Sequence, residues 1–178
     1  PAYRIFENGE HTATLADATS YYTPDMVSFL IGCSFTFETA LVDAGIEIAH
    51  IEQQRNVPMF KTSIPTTPAG VFSGPMVVSM RPIPAAQVSD AVRITSRYPS
   101  VHGAPVHVGD PAAIGIADLA HPDFGDAVDI PEGCLPVFWA CGVTPQAIVM
   151  ESKPELAISH APGKMLVTNT RDAEYLIP

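Results

Sequence analysis

The chain has 178 residues, of which 47% are hydrophobic and 16% charged, and its formal net charge is −10. This length and composition predict a folded protein with a sizeable core rather than a disordered chain. The nine lysine and arginine residues form no basic cluster, so we expect no nucleic-acid partner. The sequence has no apolar run of about 18 residues and no signal-peptide pattern, so we expect no membrane partner and a cytoplasmic location.

The first part of the chain predicts short strands and helices. The pattern of apolar residues predicts helices over residues 23–32 and 37–44, and strands over residues 3–6 and 46–51. Gly45 follows the second helix directly and suits the left-handed conformation that commonly ends a helix.

Three cysteines, Cys33, Cys134 and Cys141, are widely spaced and form no CxxC pair. An odd number of cysteines without a regular spacing favours free thiols in a reducing compartment. We therefore expect no cysteine-rich zinc site.

One local arrangement recurs three times along the chain. Residues 76–80, 106–108 and 137–140 are strand-like, and each segment is followed by a turn, a proline and a helical pattern. Strands that alternate with helices are typical of α/β proteins with a parallel sheet. We therefore predict an α/β fold built on a mixed, mostly parallel sheet with helices on both faces.

The three turns would lie at one edge of such a sheet, where ligands commonly bind. Helix N-termini at that edge offer unpaired N–H groups that favour anions. The side chains that this edge would bring together are Arg81, His107, Asp110, Cys141 and Thr144.

Three of these residues have both a chemical and a structural interpretation. His107 titrates near neutral pH, but a histidine on a half-buried strand is more often structural. Asp110 is predicted to cap a helix, and it can also serve as an acid. Cys141 precedes Gly142 at a predicted helix start, a position that lowers a thiol pKa, and the alternative is a small buried residue beside Trp139.

The arginines and the remaining histidines suggest two further kinds of site. Arg81 lies in an apolar stretch, so it needs a carboxylate partner. For Arg81 and Arg55 that carboxylate belongs either to the protein or to a substrate. The spacing of the chain's histidines matches no short metal motif, although a divalent metal remains compatible with one set of residues. That set is His102, His107 and His160, with Asp110 or Glu52.

Several sequence blocks resemble one protein family closely. Residues 29–35, Phe-Leu-Ile-Gly-Cys-Ser-Phe, are similar to a hallmark of the hydro-lyase family that is also called the D-glutamate cyclase family. Further blocks with the same resemblance follow in order and cover nearly the whole chain. They are residues 50–52, 55–59, 78–84, 102–111, 138–146 and 160–163.

The resemblance implies a two-part fold, with a three-layer α/β sandwich and a smaller two-layer α+β part. We assign residues 1–178 to one family domain, with a smaller subdomain at about residues 45–80. Members of the family carry a further N-terminal segment of several tens of residues, so we expect the chain to be truncated relative to them.

The resemblance also implies carbon–oxygen lyase chemistry on a small carboxylate or amino-acid substrate. Vertebrate relatives are associated with the conversion of D-glutamate to 5-oxo-D-proline and water. For this reaction we predict His107 as the base and His160 or Asp110 as the acid. Cys141 is a less favoured alternative as a covalent nucleophile.

The same hypothesis assigns binding roles to the remaining candidates. Arg81 or Arg55 would hold a substrate carboxylate, and the turn at residues 142–144 would stabilise an oxyanion. The full substrate-binding set is Arg81, Arg55, Glu52, His102, Gly142 and Thr144.

Two non-catalytic functions remain as alternatives. The chain would be a binding protein for small carboxylates or amino acids, or a structural partner in a larger amidohydrolase-type assembly. A homo-oligomer is compatible with each of these functions, and a divalent metal with the catalytic one.

Overall fold

The structure is a computed structural model that describes residues 2–178. Seven strands and four α-helices form the regular structure of this range. The strands are β1 (Tyr3–Glu7), β2 (Glu10–Leu15), β3 (Met59–Pro65), β4 (Pro75–Pro84), β5 (His107–Val108), β6 (Cys134–Ala140) and β7 (Leu156–His160). The helices are α1 (Glu38–Asp43), α2 (Ala49–Glu52), α3 (Val88–Thr95) and α4 (Thr144–Ser152).

These elements belong to two units. The first unit contains the residues up to Leu30, together with Thr66–Gly74 and Pro145–Thr170. Its three-stranded sheet has the order β2-β1-β7, and both strand pairs are antiparallel. Ile5 and Phe6 of the central strand are buried.

The second unit contains Ile31–Pro65, Pro75–Thr144 and Arg171–Pro178, and it carries most of the predicted site residues. Its four-stranded sheet has the order β3-β4-β6-β5, and every neighbouring pair is antiparallel. The prediction of an α/β fold with a mostly parallel sheet and helices on both faces is therefore wrong.

The path of the chain explains this error. Both β4 and β5 pair antiparallel with β6, so they run in the same direction on either side of it. The helical connection through α3 thus joins two strands of equal direction, as the sequence pattern predicted. The long segment 109–133 then returns the chain so that β6 enters between them in the opposite direction.

Strand β4 is buried on both sides and separates two apolar cores. Ile83 of β4 packs with Phe37 from the turn before α1, with Leu41 of α1 and with Ala91 of α3. On the other face of the sheet, Met80 belongs to a second core. Phe60, Val78, Ile114, Ile116, Val128 and Phe138 complete that second core.

Local predictions had mixed success. Helices α1 and α4 and strands β1, β4 and β6 occur where they were predicted. Residues 23–32 contain no α-helix, and residues 46–51 end in helix α2 rather than forming a strand. In the failed helix Phe29 and Leu30 are 79% and 83% exposed, so helical spacing there does not reflect a buried face. No helix within residues 2–178 combines the length and the apolar character that crossing a membrane requires.

Candidate active site

The second unit contains a buried cluster of polar side chains beneath the helical face of its sheet. Arg81 of β4 is completely buried, and its guanidinium donates to Glu38 at the start of α1. Arg81 Nε lies 2.7 Å from Glu38 Oε1, and Nη2 donates to the same oxygen. A buried charge is tolerated only when it is paired and hydrogen-bonded, and this pair meets that condition.

Two serines and two aromatic rings complete the surroundings of Arg81. Its Nη1 donates to Ser79 Oγ and its Nη2 to Ser34 Oγ, each at 3.1 Å. The guanidinium carbon lies 5.4 Å from the ring centres of both Phe37 and Trp139. Four of the five N–H groups of Arg81 are therefore used within the protein, so Arg81 is better suited to hold the site together than to grip a substrate carboxylate.

His50 of α2 joins the cluster through Glu38. His50 Nε2 lies 3.3 Å from Glu38 Oε1, and both side chains are more than nine-tenths buried. Burial raises the pKa of Glu38, but the hydrogen bond from His50 and the charge of Arg81 outweigh it, so this pKa lies below its usual value. His50 Nδ1 is buried and has no hydrogen-bond partner among residues 2–178.

His102 is a second histidine with an unused nitrogen. Its Nε2 is buried without a partner in the described part of the chain. Its φ of 82° is left-handed, a conformation that costs a non-glycine residue about 1–3 kcal/mol and that is concentrated at functional sites. Burial lowers the pKa of His102; the backbone of Gly32 raises it, and the charge of Arg81 lowers it further. His102 is therefore neutral at pH 7 and able to accept a proton.

Two cysteine thiols lie next to Gly32 and Gly142 in the chain. Cys33 follows Gly32, Cys141 precedes Gly142, and a Cβ placed on Gly142 would lie 3.5 Å from the Gly32 carbonyl oxygen. Burial raises the pKa of both thiols, although neighbouring backbone amides and the charge of Arg81 lower it. The expectation that helix position would lower the pKa of Cys141 is therefore wrong, because desolvation is the larger effect.

The amides after Cys141 are directed at Cys141 itself. Its sulfur is bonded by the backbone of Val143 and Gly142, and the Thr144 amide donates to its carbonyl oxygen at 3.0 Å. Thr144 Oγ1 accepts from the Val77 amide at 2.9 Å and so fixes the turn to β4. The turn at residues 142–144 thus has a structural task in addition to any role with a substrate.

His107 and Asp110 lie elsewhere on the sheet. The His107 ring packs 5.8 Å from that of Phe138, in the second core, and its Nε2 lies 2.7 Å from the Asp110 carbonyl oxygen. Asp110 caps a short 3₁₀ turn by accepting from the Ala112 amide at 3.0 Å, as its sequence position predicted. Because side chains alternate along β6, the ring of His107 and the guanidinium of Arg81 are on opposite faces.

The other predicted residues are also outside the cluster. Arg55 donates to the Ala127 carbonyl at 2.7 Å and lies 3.5 Å from Asp129 Oδ1, so its partner is a protein carboxylate. Glu52 is exposed at the end of α2. His160 ends β7 in the first unit, and its Nδ1 lies 2.9 Å from the Ala161 carbonyl oxygen.

The described residues offer no ready metal site. Within residues 2–178, no group of three or more histidine, cysteine, aspartate or glutamate side chains is arranged to hold a metal ion. The sequence suggested His102, His107 and His160, with Asp110 or Glu52, as possible metal ligands. The structure does not bring these residues together as a metal site. All three cysteines are free thiols, as expected.

Sequence reasoning missed much of the cluster. Glu38, His50, Ser34 and Ser79 were not candidates, although they are the residues that surround Arg81. One signal was available: Glu38 lies among the apolar residues of a predicted helix, where a carboxylate needs a buried cationic partner.

Comparisons with known proteins agree with the family resemblance of the sequence blocks. The family model described as D-glutamate cyclase matches residues 27–169. A protein of Corynebacterium urealyticum named "Putative hydro-lyase" is 70% identical over the whole chain, which covers 68% of that relative. A relative of the same name from Bacillus licheniformis is 60% identical over 98% of the chain and 67% of its own length.

A third relative, from Corynebacterium jeikeium, is 68% identical over the whole chain, which covers 66% of its length. The chain thus spans about two thirds of the length of the curated relatives that it matches. A family model that covers most of the chain, together with relatives of such identity, leaves one assignment. The chain belongs to the D-glutamate cyclase family, whose members include proteins named as hydro-lyases.

Proposed function

We propose that the protein is a hydro-lyase that converts D-glutamate to 5-oxo-D-proline and water. The family description and the names of the relatives support this reaction class. The observation that carries the proposal for this chain is that His102 bonds the backbone of Gly32, whose carbonyl oxygen lies 3.5 Å from a Cβ built on Gly142, the residue after Cys141.

The reaction needs one group to accept a proton and another to donate one. The ammonium of D-glutamate must lose a proton before its nitrogen can attack the carbon of the side-chain carboxyl group. Two protons leave the nitrogen in all, and both depart with one carboxyl oxygen as water. A pair of groups whose environments move their pKa values apart is suited to such acid–base work.

His102 fits the role of the base. Burial keeps it neutral at pH 7, and its Nε2 has no partner among the described residues. We assign the base to His102 rather than to His107, because the His107 ring lies against Phe138 of the second core and its Nε2 already lies against the Asp110 carbonyl.

Cys141 fits the role of the acid. Burial holds its pKa above the usual range, so the thiol is protonated at neutral pH and can donate to the departing oxygen. His102 removes a proton from the nitrogen, and Cys141 gives a proton to the departing oxygen. Transfer of a proton from His102 to Cys141 then restores both groups, and the cycle occurs once for each of the two protons. This assignment replaces the nucleophilic role considered for Cys141.

The buried cluster of Arg81, Glu38, His50, Ser34 and Ser79 would support these two residues. The positive charge of Arg81 lowers the pKa of His102 and of both thiols, and the negative charges of Glu38 and Asp172 oppose this effect at Cys33. The cluster also anchors the chain that follows Cys33 through Ser34 and Glu38.

Incubation of the protein with D-glutamate, L-glutamate and a panel of small hydroxy acids tests the proposal. The assay follows the loss of one water by mass spectrometry, with and without Mg²⁺ or Mn²⁺. The proposal expects 5-oxoproline from D-glutamate in preference to L-glutamate. Binding of D-glutamate without any turnover would contradict it and favour a carboxylate-binding protein.

A further inference from the structure

The residues next to Cys33 and Cys141 come close to each other at two glycines, and Cys33 acts electrostatically on the Cys141 thiol. The Gly32 carbonyl oxygen would be only 3.5 Å from a Cβ at position 142, and each glycine is bonded to one cysteine. Gly32 is itself tightly enclosed, since a Cβ there would lie 2.6 Å from the Ser100 carbonyl oxygen. A disulfide requires the Cα atoms of its two cysteines to lie within about 7 Å of each other, and contact between the residues next to both cysteines is compatible with that requirement.

Both cysteines are also held firmly in place. The Cys141 amide donates to the Val77 carbonyl of β4 at 3.0 Å. The Cys33 carbonyl accepts from the Thr36 amide at 3.1 Å, and the next residue, Ser34, is buried and bonded to Arg81. The backbone at each cysteine is therefore fixed by hydrogen bonds to the rest of the second unit.

We propose that Cys33 and Cys141 are a modification site that closes reversibly into a disulfide when the protein meets a hydroperoxide. One thiolate attacks a peroxide oxygen, the O–O bond breaks, and a sulfenic acid and water form. The second thiolate attacks that sulfur, the S–S bond forms, and the oxygen leaves as water. In total two thiols and one hydrogen peroxide give one disulfide and two waters.

Burial governs how readily the bond forms. The thiolate is the attacking species, and burial holds the pKa of both thiols above the usual range. Closure is therefore slow at neutral pH and becomes faster as the pH rises toward the thiol pKa values. Given the function proposed above, closure also removes the thiol proton of Cys141 and stops turnover.

The test is peroxide treatment of the whole protein at about pH 7 and about pH 9, followed by blocking of free thiols and peptide mass spectrometry. We expect a cross-linked peptide pair containing Cys33 and Cys141, lighter by two hydrogen atoms, that dithiothreitol separates. Formation is expected to be at least about tenfold faster at the higher pH, because thiolate increases tenfold per pH unit below the pKa.

Two variants provide the matched comparison. Cys33→Ser should abolish the cross-link, whereas Cys134→Ser should leave it intact, since Cys134 lies at the far end of β6. Oxygen adducts on Cys33 or Cys141 without a cross-link in the unmodified sequence, or a cross-link through Cys134, would overturn the proposal.

An activity measurement separates this inference from the proposed function. Turnover of D-glutamate should fall as the cross-link forms in the unmodified sequence, and dithiothreitol should restore it as the cross-link is separated. If no dehydration occurs under any condition, the proposed function fails, but the cross-link is still read by mass. If the cross-link forms and activity is unaffected, the acid role of Cys141 is wrong while the modification site stands.

Discussion

Arg81 and Glu38 are 43 residues apart in the sequence, yet two N–H groups of the buried guanidinium converge on one oxygen of the carboxylate. This pair joins the central strand of the four-stranded sheet to the start of α1. It brings together the buried cluster, and through Ser34 it fixes the chain beside Gly32 and Cys33.

Loss of either partner should destabilise the protein strongly. Arg81→Met and Glu38→Gln each leave a buried polar group without its partner, and we expect a loss of about 3–5 kcal/mol in the free energy of unfolding. Arg93→Met is the control, because the Arg93–Asp90 pair is exposed and should contribute less than about 1 kcal/mol. Urea unfolding measures all three, and equal effects for Arg81 and Arg93 would refute the structural role.

The same pair predicts how stability depends on pH. The pKa of Glu38 is lowered from 4.5 in the folded protein, so its carboxylate contributes stability that is fully present above that value. The contribution is lost as the pH falls through the lowered pKa. The unmodified protein should therefore lose more stability between about pH 7 and pH 3 than Glu38→Gln does. Parallel losses in the two proteins would show that Glu38 is not held in its charged form.

Gly32 and Gly142 should respond differently to a methyl group. A Cβ at Gly32 would lie 2.6 Å from the Ser100 carbonyl oxygen and 2.7 Å from a Val101 methyl, which forces the chain to shift. We expect Gly32→Ala to cost about 1–3 kcal/mol, whereas Gly142→Ala meets ordinary contact distance and should cost less than about 1 kcal/mol. Thermal unfolding of the two variants checks this order, and a reversed order would contradict the described packing.

The pH profile of turnover should be broad. The proposed mechanism requires neutral His102, whose pKa is lowered from 6.5, and a protonated Cys141, whose pKa is raised from 9.0. The acid limb of kcat/KM should therefore lie below pH 6.5 and the alkaline limb above pH 9.0. A single limb centred at or above pH 7 would show that a different group carries the proton.

Short-range patterns predicted part of the local structure. Asp110 caps its turn as expected because an N-cap depends on residues only two or three positions away. The strand–helix alternation likewise predicted the connection of β4 to β5 through α3. The direction of β6 was not predictable from it, since that direction depends on how segment 109–133 returns the chain, and no local pattern encodes this.

The site was harder to predict than the elements. Arg81 clearly needed a carboxylate, but Glu38 and His50 reach it only through tertiary folding. His107 was attractive because it lies at a strand end, yet its position along the strand places it on the face opposite Arg81. Alternation along a strand decides the face, and the pairing register that fixes it is not visible in one sequence.

We propose that the reacting groups lie around Gly32, on the Arg81 face of the sheet, rather than beside His107. The most direct test is a comparison of D-glutamate turnover by His102→Gln and His107→Gln, with folding of both verified by circular dichroism. We expect His102→Gln to lose at least about 100-fold in turnover, as is typical for removal of a proton carrier, and His107→Gln to stay within a few fold of the unmodified protein. Near-normal turnover in His102→Gln, with a large loss in His107→Gln, would contradict the account and move the site to the other face.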